Sequence, residues 1–464
     1  MLELLTSVAQ GADSWAEVRY HARRRKQIRV RNGRLEESSS TERAGVGVRV
    51  LVDGVFGFAS TTDLSREGIL RSLRDAQQAA RAAASSKKHR IEKLASIPPT
   101  AGAFGFDVDD PLDAHTLEEK LELVQRIERR IAASDPRIVS SSASYGELVD
   151  EKVIATSDGV AVHLFQSRPE FRTIATAGEN GMQSLGMDSV GVCGGWSDMF
   201  CKRTAEQLAD HAAKMAVDKL AAPFPEGEEA TVILDPELVG ILAHEAIGHT
   251  VEADLVLGGA ITQGKIGQTV ASPLVTLCDS GHSERLPHAV GTSPVDDEGV
   301  PAQRTVVIER GVLRSYLHDR ETAAHLGVEP TGNARAWEYS DQPLIRMRNT
   351  YIDQGDTPLA EMIAGVDHGY YLKGLGISGQ ADSNAEFMFG VGEAWRIDGG
   401  KRGEFLREVT ISGNAFDVLK SVDAVGNDFD WEYSAGYCGK GQPAKVDCGG
   451  PHVRCRITIG GRQQ

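Results

Sequence analysis

Apolar and polar positions alternate with a period of two through the first sixty residues. Several such segments lie in "AEVRYHARRRKQIRVRNGRLEESSSTERAGVGVRVLVDGVFGFAST" (16–61), punctuated by Asn32-Gly33 and Asp53-Gly54. Those pairs suit two-residue turns with positive φ, so the pattern predicts antiparallel hairpins. The period then changes to that of a helix. Helices are predicted over 64–85, over "HTLEEKLELVQRIERRIAAS" (115–134) and over "TAEQLADHAAKMAVDKLA" (204–221). Thr116 with Glu119 reads as a capping box. Between the last two helices, "RIVSSSASYGELVDEKVIATSDGVAVHLFQSRPEFRTIATAGE" (137–179) predicts strands about the turn Ser157-Asp158-Gly159. "IPPTAG" (97–102) reads as a loop, and "RRRK" (23–26) as a solvated edge-strand or turn cluster.

The Pro/Gly/Glu-rich stretch "AAPFPEGEEA" (221–230) is the clearest boundary. Beyond it one helix gives way to short strands and many glycine turns. The expected fold class is α+β. An N-terminal α/β domain of antiparallel strands and helices (1–222) precedes a β-rich, barrel- or sandwich-like domain (223–464). "VDDEG" (295–299) reads as a tight acidic turn. "GISGQADS" (376–383) reads as a turn able to line a peptide cleft.

Composition narrows the classes. The 464 residues are 41% hydrophobic and 25% charged, with a net charge of −16. Such an acidic chain is a poor general binder of nucleic acid or anionic membrane. No stretch approaches the ~20 apolar residues of a membrane span, and the N-terminus does not read as a signal peptide. A cytoplasmic setting is expected, in which the six cysteines stay free of disulfides.

The candidate chemistry lies in "EEATVILDPELVGILAHEAIGHTVEAD" (228–254), which reads as strand, turn and helix. Asp235 is a good N-cap and Pro236 suits the first helical position. "HEAIGH" (244–249) places two histidines five apart around Glu245. In a regular helix that spacing separates them by roughly 140°. A π-type turn removes most of the divergence, and the expectation is that the helix widens at Gly248 so that His244 and His249 face one ion. A catalytic zinc site needs a third protein ligand. From the residues alone Glu252, Asp254, Cys278, His282 and the C-terminal cysteines all remain open.

Several blocks in order resemble the TldD/PmbA family, on the side of its metal-bearing TldD-type subunits. Besides "HEAIGHTVEAD" they are "VDDEGVPAQRTVVIERGVL" (295–313), "PTGNARA" (330–336), "RMRNTYI" (346–352), "NAEFMFGVGEAWRIDGG" (384–400) and "YCGKGQP" (437–443). The resemblance covers nearly the whole chain. It implies a zinc metallopeptidase that cleaves peptides or unfolded segments in a narrow cleft. It implies Zn²⁺ held by His244, His249 and Cys438, with Glu245 as general base. It also implies a dimer, with a TldE/PmbA-type subunit or a second copy. Cys448 and Cys455 are rival thiols, and Arg335 and Tyr339 are candidate oxyanion donors. The competing functions are a peptide-binding partner subunit without catalysis and a metal-dependent amidase for a small molecule.

Overall fold

The computed structural model describes residues 1–87, 90–381 and 384–461. After helix α1 (Leu2–Gln10) come strands β1 (Trp15–Arg31), β2 (Arg34–Val52) and β3 (Val55–Thr61). Both turns form as the alternation predicts. Arg31 pairs with Arg34 and Val52 with Val55. The four turn residues Asn32, Gly33, Asp53 and Gly54 all have φ between 47° and 74°. Helix α2 (Arg66–Ala84), strand β4 (Ala101–Phe104), helix α3 (Leu117–Ala133), strands β5 (Ile138–Thr156), β6 (Ala161–Glu179) and β7 (Met182–Gly191), and helix α4 (Ala205–Ala221) follow. Both bonds of the Thr116–Glu119 capping box are present. Two elements differ from the pattern. Helix α1 carries no strong sequence signal, and β4 begins inside the expected loop because it pairs in parallel with β6.

The strands join in the order β3-β2-β1-β5-β6-β4, with β7 also on β6. Alternation gives this sheet two unlike faces. Val18, Val48, Val50 and Val153 pack under α1 and α2. Ile28, Ala143, Tyr145 and Phe171 pack under α3 and α4. The opposite face carries Glu17, Arg19, His21, Arg23, Asp150 and Lys152, all buried against the chain beyond 290. The "RRRK" cluster is therefore not an edge. Strand β1 runs between β2 and β5. Arg23 pairs with Asp150 at 2.7 Å, while Arg24 and Lys26 point the other way to Asp113.

From strand β8 (Glu228–Leu234) onward the architecture changes. Strand β8 pairs in parallel with His368–Ala381 and antiparallel with Val453–Gly460. His368–Ala381 pairs with Glu386–Asp398, which pairs with Thr410–Asn414, which pairs with Val453–Gly460. Five strands thus close a barrel. Its interior is apolar, with Val232, Leu234, Phe387, Phe389, Ile411 and Ile457 in one cluster with the helix that follows β8. "GISGQADS" is continuous with the barrel strand ending at Ala381 rather than a free turn, and its Asp382 and Ser383 lie outside the described residues.

The acidic turn joins the two architectures. Gly299, at φ 83°, closes it. The Asp296 carboxylate accepts the N–H groups of Glu298, Val300 and Ala334. Asp297 accepts two bonds from Lys152 of β5, both at 2.8 Å. Glu298 accepts a bond at 2.6 Å from Arg49 of β2, which also reaches Glu17.

Candidate metal centre

Strand β8 delivers the chain directly to the site. Asp235 accepts the Leu238 N–H at 3.0 Å and starts helix α5 (Pro236–Ile241). The same carboxylate accepts the Gly374 N–H, which fixes the helix start to the barrel wall. Gly240 lets the helix lie against the strand Asp447–Gly450: a Cβ there would stand 2.5 Å from the Gly449 nitrogen.

After Ile241 the helix widens to a π turn over Leu242–Ile247 and then tightens to a 3₁₀ turn over Gly248–Val251. At about 4.4 residues per turn, positions five apart diverge by only about 50°. The rings of His244 and His249 accordingly come together, with centroids 5.4 Å apart. The widening precedes Gly248 rather than occurring at it. Gly248 has ordinary helical angles, φ −55° and ψ −46°. It is required for space: a Cβ would lie 1.9 Å from Sδ of Met347, itself fully buried.

The third member arrives from 189 residues away. A hairpin of Cys438–Lys440 with Gln442–Ala444 brings Cys438 Sγ to 3.3 Å from His249 Nε2. Arg346 holds this hairpin from behind, donating to the carbonyls of Cys438 and Gln442. One donor atom from each of His244, His249 and Cys438 lies within 4.8 Å of the others, the only such group among the described residues. Glu252 accepts from His249 Nδ1 at 2.8 Å, which turns Nε2 toward the thiol. Glu252 is fully buried and is also approached by Lys440, which bonds Asp254 at 2.7 Å. Lys440 was not legible in the sequence; nothing local places it beside Glu252.

The electrostatics match a cation site. Burial raises the Cys438 thiol pKa, but His244 and His249 outweigh it and bring the thiol down to about 5. Burial likewise lowers the His249 pKa, and Cys438 with Glu252 drives it up to about 10. His244 is 3% exposed, yet neither ring nitrogen has a protein hydrogen-bond partner. A buried polar atom left this way costs about 1–3 kcal/mol unless something binds it. Two imidazoles and one thiolate are donors that suit Zn²⁺, so the residues fit that ion. The Glu245 carboxylate stands 3.7 Å from His249 Nε2 and 4.0 Å from His244 Nε2, about one-third exposed.

The rival residues are engaged elsewhere. Cys448 bonds Glu432 at 2.8 Å, and Cys455 faces the barrel core. Cys278 lies in the core under the N-terminal sheet, and His282 bonds the Ala302 carbonyl. Arg335 donates to the carbonyls of Met347 and Lys445. The Tyr339 ring covers Gly45 so closely that a Cβ there would lie 2.5 Å from it. Neither points to an oxyanion role.

The chain is similar to known proteins over nearly its whole length. Models of the PmbA/TldA metallopeptidase domain 1, central domain and C-terminal domain match residues 16–84, 110–220 and 227–461. A metalloprotease of Methanothermobacter thermautotrophicus is 36% identical over 458 residues, covering 96% of this chain and 95% of the relative. A zinc metalloprotease TldD homolog of Saccharolobus solfataricus is 28% identical, covering 99% and 100%. The crystal structure of TldE from Thermococcus kodakarensis shares the fold, with a TM-score of 0.77 at 18% identity and 99% of both chains covered. With its three domain matches in order and its relatives aligned end to end, the chain belongs to the PmbA/TldD family of metallopeptidases.

Proposed function

We propose that this chain is a zinc-dependent peptidase in which His244, His249 and Cys438 hold the metal and Glu245 is the general base. The observation that carries the reading is the convergence of two imidazoles and a thiol, with one donor atom from each within 4.8 Å of the others and His244 buried. The relative from Saccharolobus solfataricus bears the name zinc metalloprotease. A zinc ion held there supplies Lewis acidity, polarising a carbonyl and lowering the pKa of a water toward 7. The protein does the rest. Glu252 keeps the His249 proton on Nδ1, leaving Nε2 as a donor. Glu245 accepts a proton from the attacking water on its carboxylate and returns it to the leaving amine.

The proposed substrate is an extended peptide, and a trough that reaches Tyr437, the residue before Cys438, supports it. Next to Cys438, Tyr437 ends a trough of about 240 Å³ on the polar face of the N-terminal sheet. Its floor is Ser142, Ser144 and Gly146 of β5, and Arg25, Arg29 and Arg172 flank it. The division of the chain near residue 222 into two domains, and an assembly with a TldE-type subunit or a second copy, belong to the same reading. So does a cytoplasmic setting; no described helix is long and apolar enough to cross a membrane.

The test is Glu245→Gln in zinc-loaded protein supplied with unfolded peptides. Zinc stoichiometry should stay near one per chain while turnover falls by roughly 10²–10⁴-fold. Cleavage at the wild-type rate would remove Glu245 from the mechanism, and loss of zinc from that variant would make it a ligand instead.

A further inference from the structure

The seam between the polar sheet face and the later half of the chain is not completely filled. It leaves a partly open cavity of about 30 Å³ between β1, β5 and β6 on one side and Ser293, residues 295–297, 335–337, Arg348 and 443–445 on the other. A water needs roughly 10–15 Å³ of such space, so one or two water-sized occupants fit.

Six basic side chains line this cavity against three carboxylates. The carboxylates are committed. Asp150 serves Arg23 and His21, Asp297 serves Lys152, and Asp296 is held by three backbone N–H groups. Lys445 reaches outside the cavity to Glu170. Arg335 is left with carbonyls alone, those of Met347 at 2.7 Å and Lys445 at 2.6 Å. Arg348 side-chain bonds likewise go only to the carbonyls of Gln303 and Thr331. Nε of Arg348, and Nη1 of Arg23, whose guanidinium stacks on Trp337, are buried without a hydrogen-bond partner in residues 0% and 8% exposed, while Nη1 of Arg348 turns away to pack on Gly281 and Gly332. Burial, then repulsion from Arg168, Arg346 and Arg348, draws the Arg335 pKa down to about 9.

We propose that this cavity is a binding site for a small monovalent anion of about chloride size, recognised by Arg23, Arg335 and Arg348. A water can satisfy an orphaned N–H but not the surplus charge, whereas an anion does both; a buried charge left uncompensated is strongly destabilising. The volume leaves no room for a nucleotide or a peptide residue. The site also has a structural consequence. Arg335 joins the Met347 carbonyl to Lys445, and the Met347 side chain packs on Gly248. An anion beside Arg335 therefore steadies the seam behind the hairpin that presents Cys438.

The experiment uses the full chain in sodium gluconate, into which chloride or bromide is titrated at constant ionic strength. Tm should rise by about 1–3 °C and saturate, as expected for a ligand bound only by the folded state. Crystals grown in bromide should show an anomalous peak among Arg23, Arg335 and Arg348. Arg23→Gln should abolish the halide dependence, whereas Arg24→Gln, on the opposite sheet face, should retain it. Should Arg23→Gln fail to fold, the bromide peak in the unaltered chain decides. A Tm indifferent to halide, or a bromide crystal without that peak, overturns the proposal. Neither readout involves peptide cleavage, so this site stands or falls independently of the peptidase mechanism.

Discussion

The seam along the N-terminal sheet and the barrel behind the metal helix are built from opposite materials. In the barrel, Val232, Leu234, Phe389 and Ile457 pack on Leu238 and Leu242 of the helix, and nothing in that cluster carries a charge. In the seam, Glu17, Arg49, Glu298, Lys152 and Asp297 are buried and held by paired charges. The apolar barrel tolerates small changes of shape, because dispersion and area are lost in increments. The seam does not, because removing one partner leaves a buried charge. The hairpin that carries Cys438 sits where the two meet: His244 and His249 follow the barrel strand β8, and Arg346 and Arg335 hold the hairpin from the seam side.

The comparison can be broken most sharply at Arg49. Arg49→Met leaves Glu298 buried without its cation and Glu17 with Arg19 alone, at 3.6 Å, and should cost about 3–5 kcal/mol in chemical denaturation. Adding Glu298→Gln should recover part of that loss; no recovery would mean that the charge pairing is not what Arg49 contributes. Gly248→Ala should come next. It forces Met347 aside at the edge of the barrel core, so a loss of about 1–3 kcal/mol is expected, with weaker zinc retention. Restoration of both by Met347→Ala in the same chain would identify the close approach as the cause.

A third region, the contact of α4 with the barrel wall, should respond to pH where the barrel interior does not. His211 of α4 bridges Asp188 and the barrel residue Glu393 at 2.7 and 2.9 Å. Bonds to Asp188, then Glu393, push its pKa from 6.5 up to about 9. A raised pKa means the folded state holds the proton more tightly. The stabilisation is then complete below pH 6.5 and is lost as pH rises through 9. Thermal melts at pH 6.5 and 9.5 should differ by more in the unaltered chain than in His211→Gln. The smallest effect belongs to the barrel interior. Ile411→Val removes one buried methylene and should cost about 0.5–1.5 kcal/mol, independent of pH.

Much of the local structure was legible. Asn32-Gly33 and Asp53-Gly54 announce their turns because few other residues accept positive φ there. Thr116 with Glu119 and Asp235 with Pro236 mark helix starts because their side chains and ring act within one turn of chain. The "RRRK" cluster misled for a physical reason. Period-two alternation shows that Arg23 and Arg24 face opposite ways, but not that Asp150 waits on the next strand to make burial of Arg23 tolerable.

The same division runs through the candidate metal centre. The sequence by itself determined that His244, Glu245 and His249 share one short segment after a capped helix start, since covalent spacing keeps them together in any fold. The order of the family blocks carried Cys438 with them. The five-residue spacing called for a widened helix at Gly248, and only the tertiary structure placed that widening earlier, over Leu242–Ile247, with Gly248 just after it giving up side-chain space to Met347. It alone set Glu252 on His249 and Lys440 on Glu252. Those contacts arise where the barrel, the seam and the hairpin close on one another, and contacts between elements so distant along the chain leave no periodicity for the sequence to display.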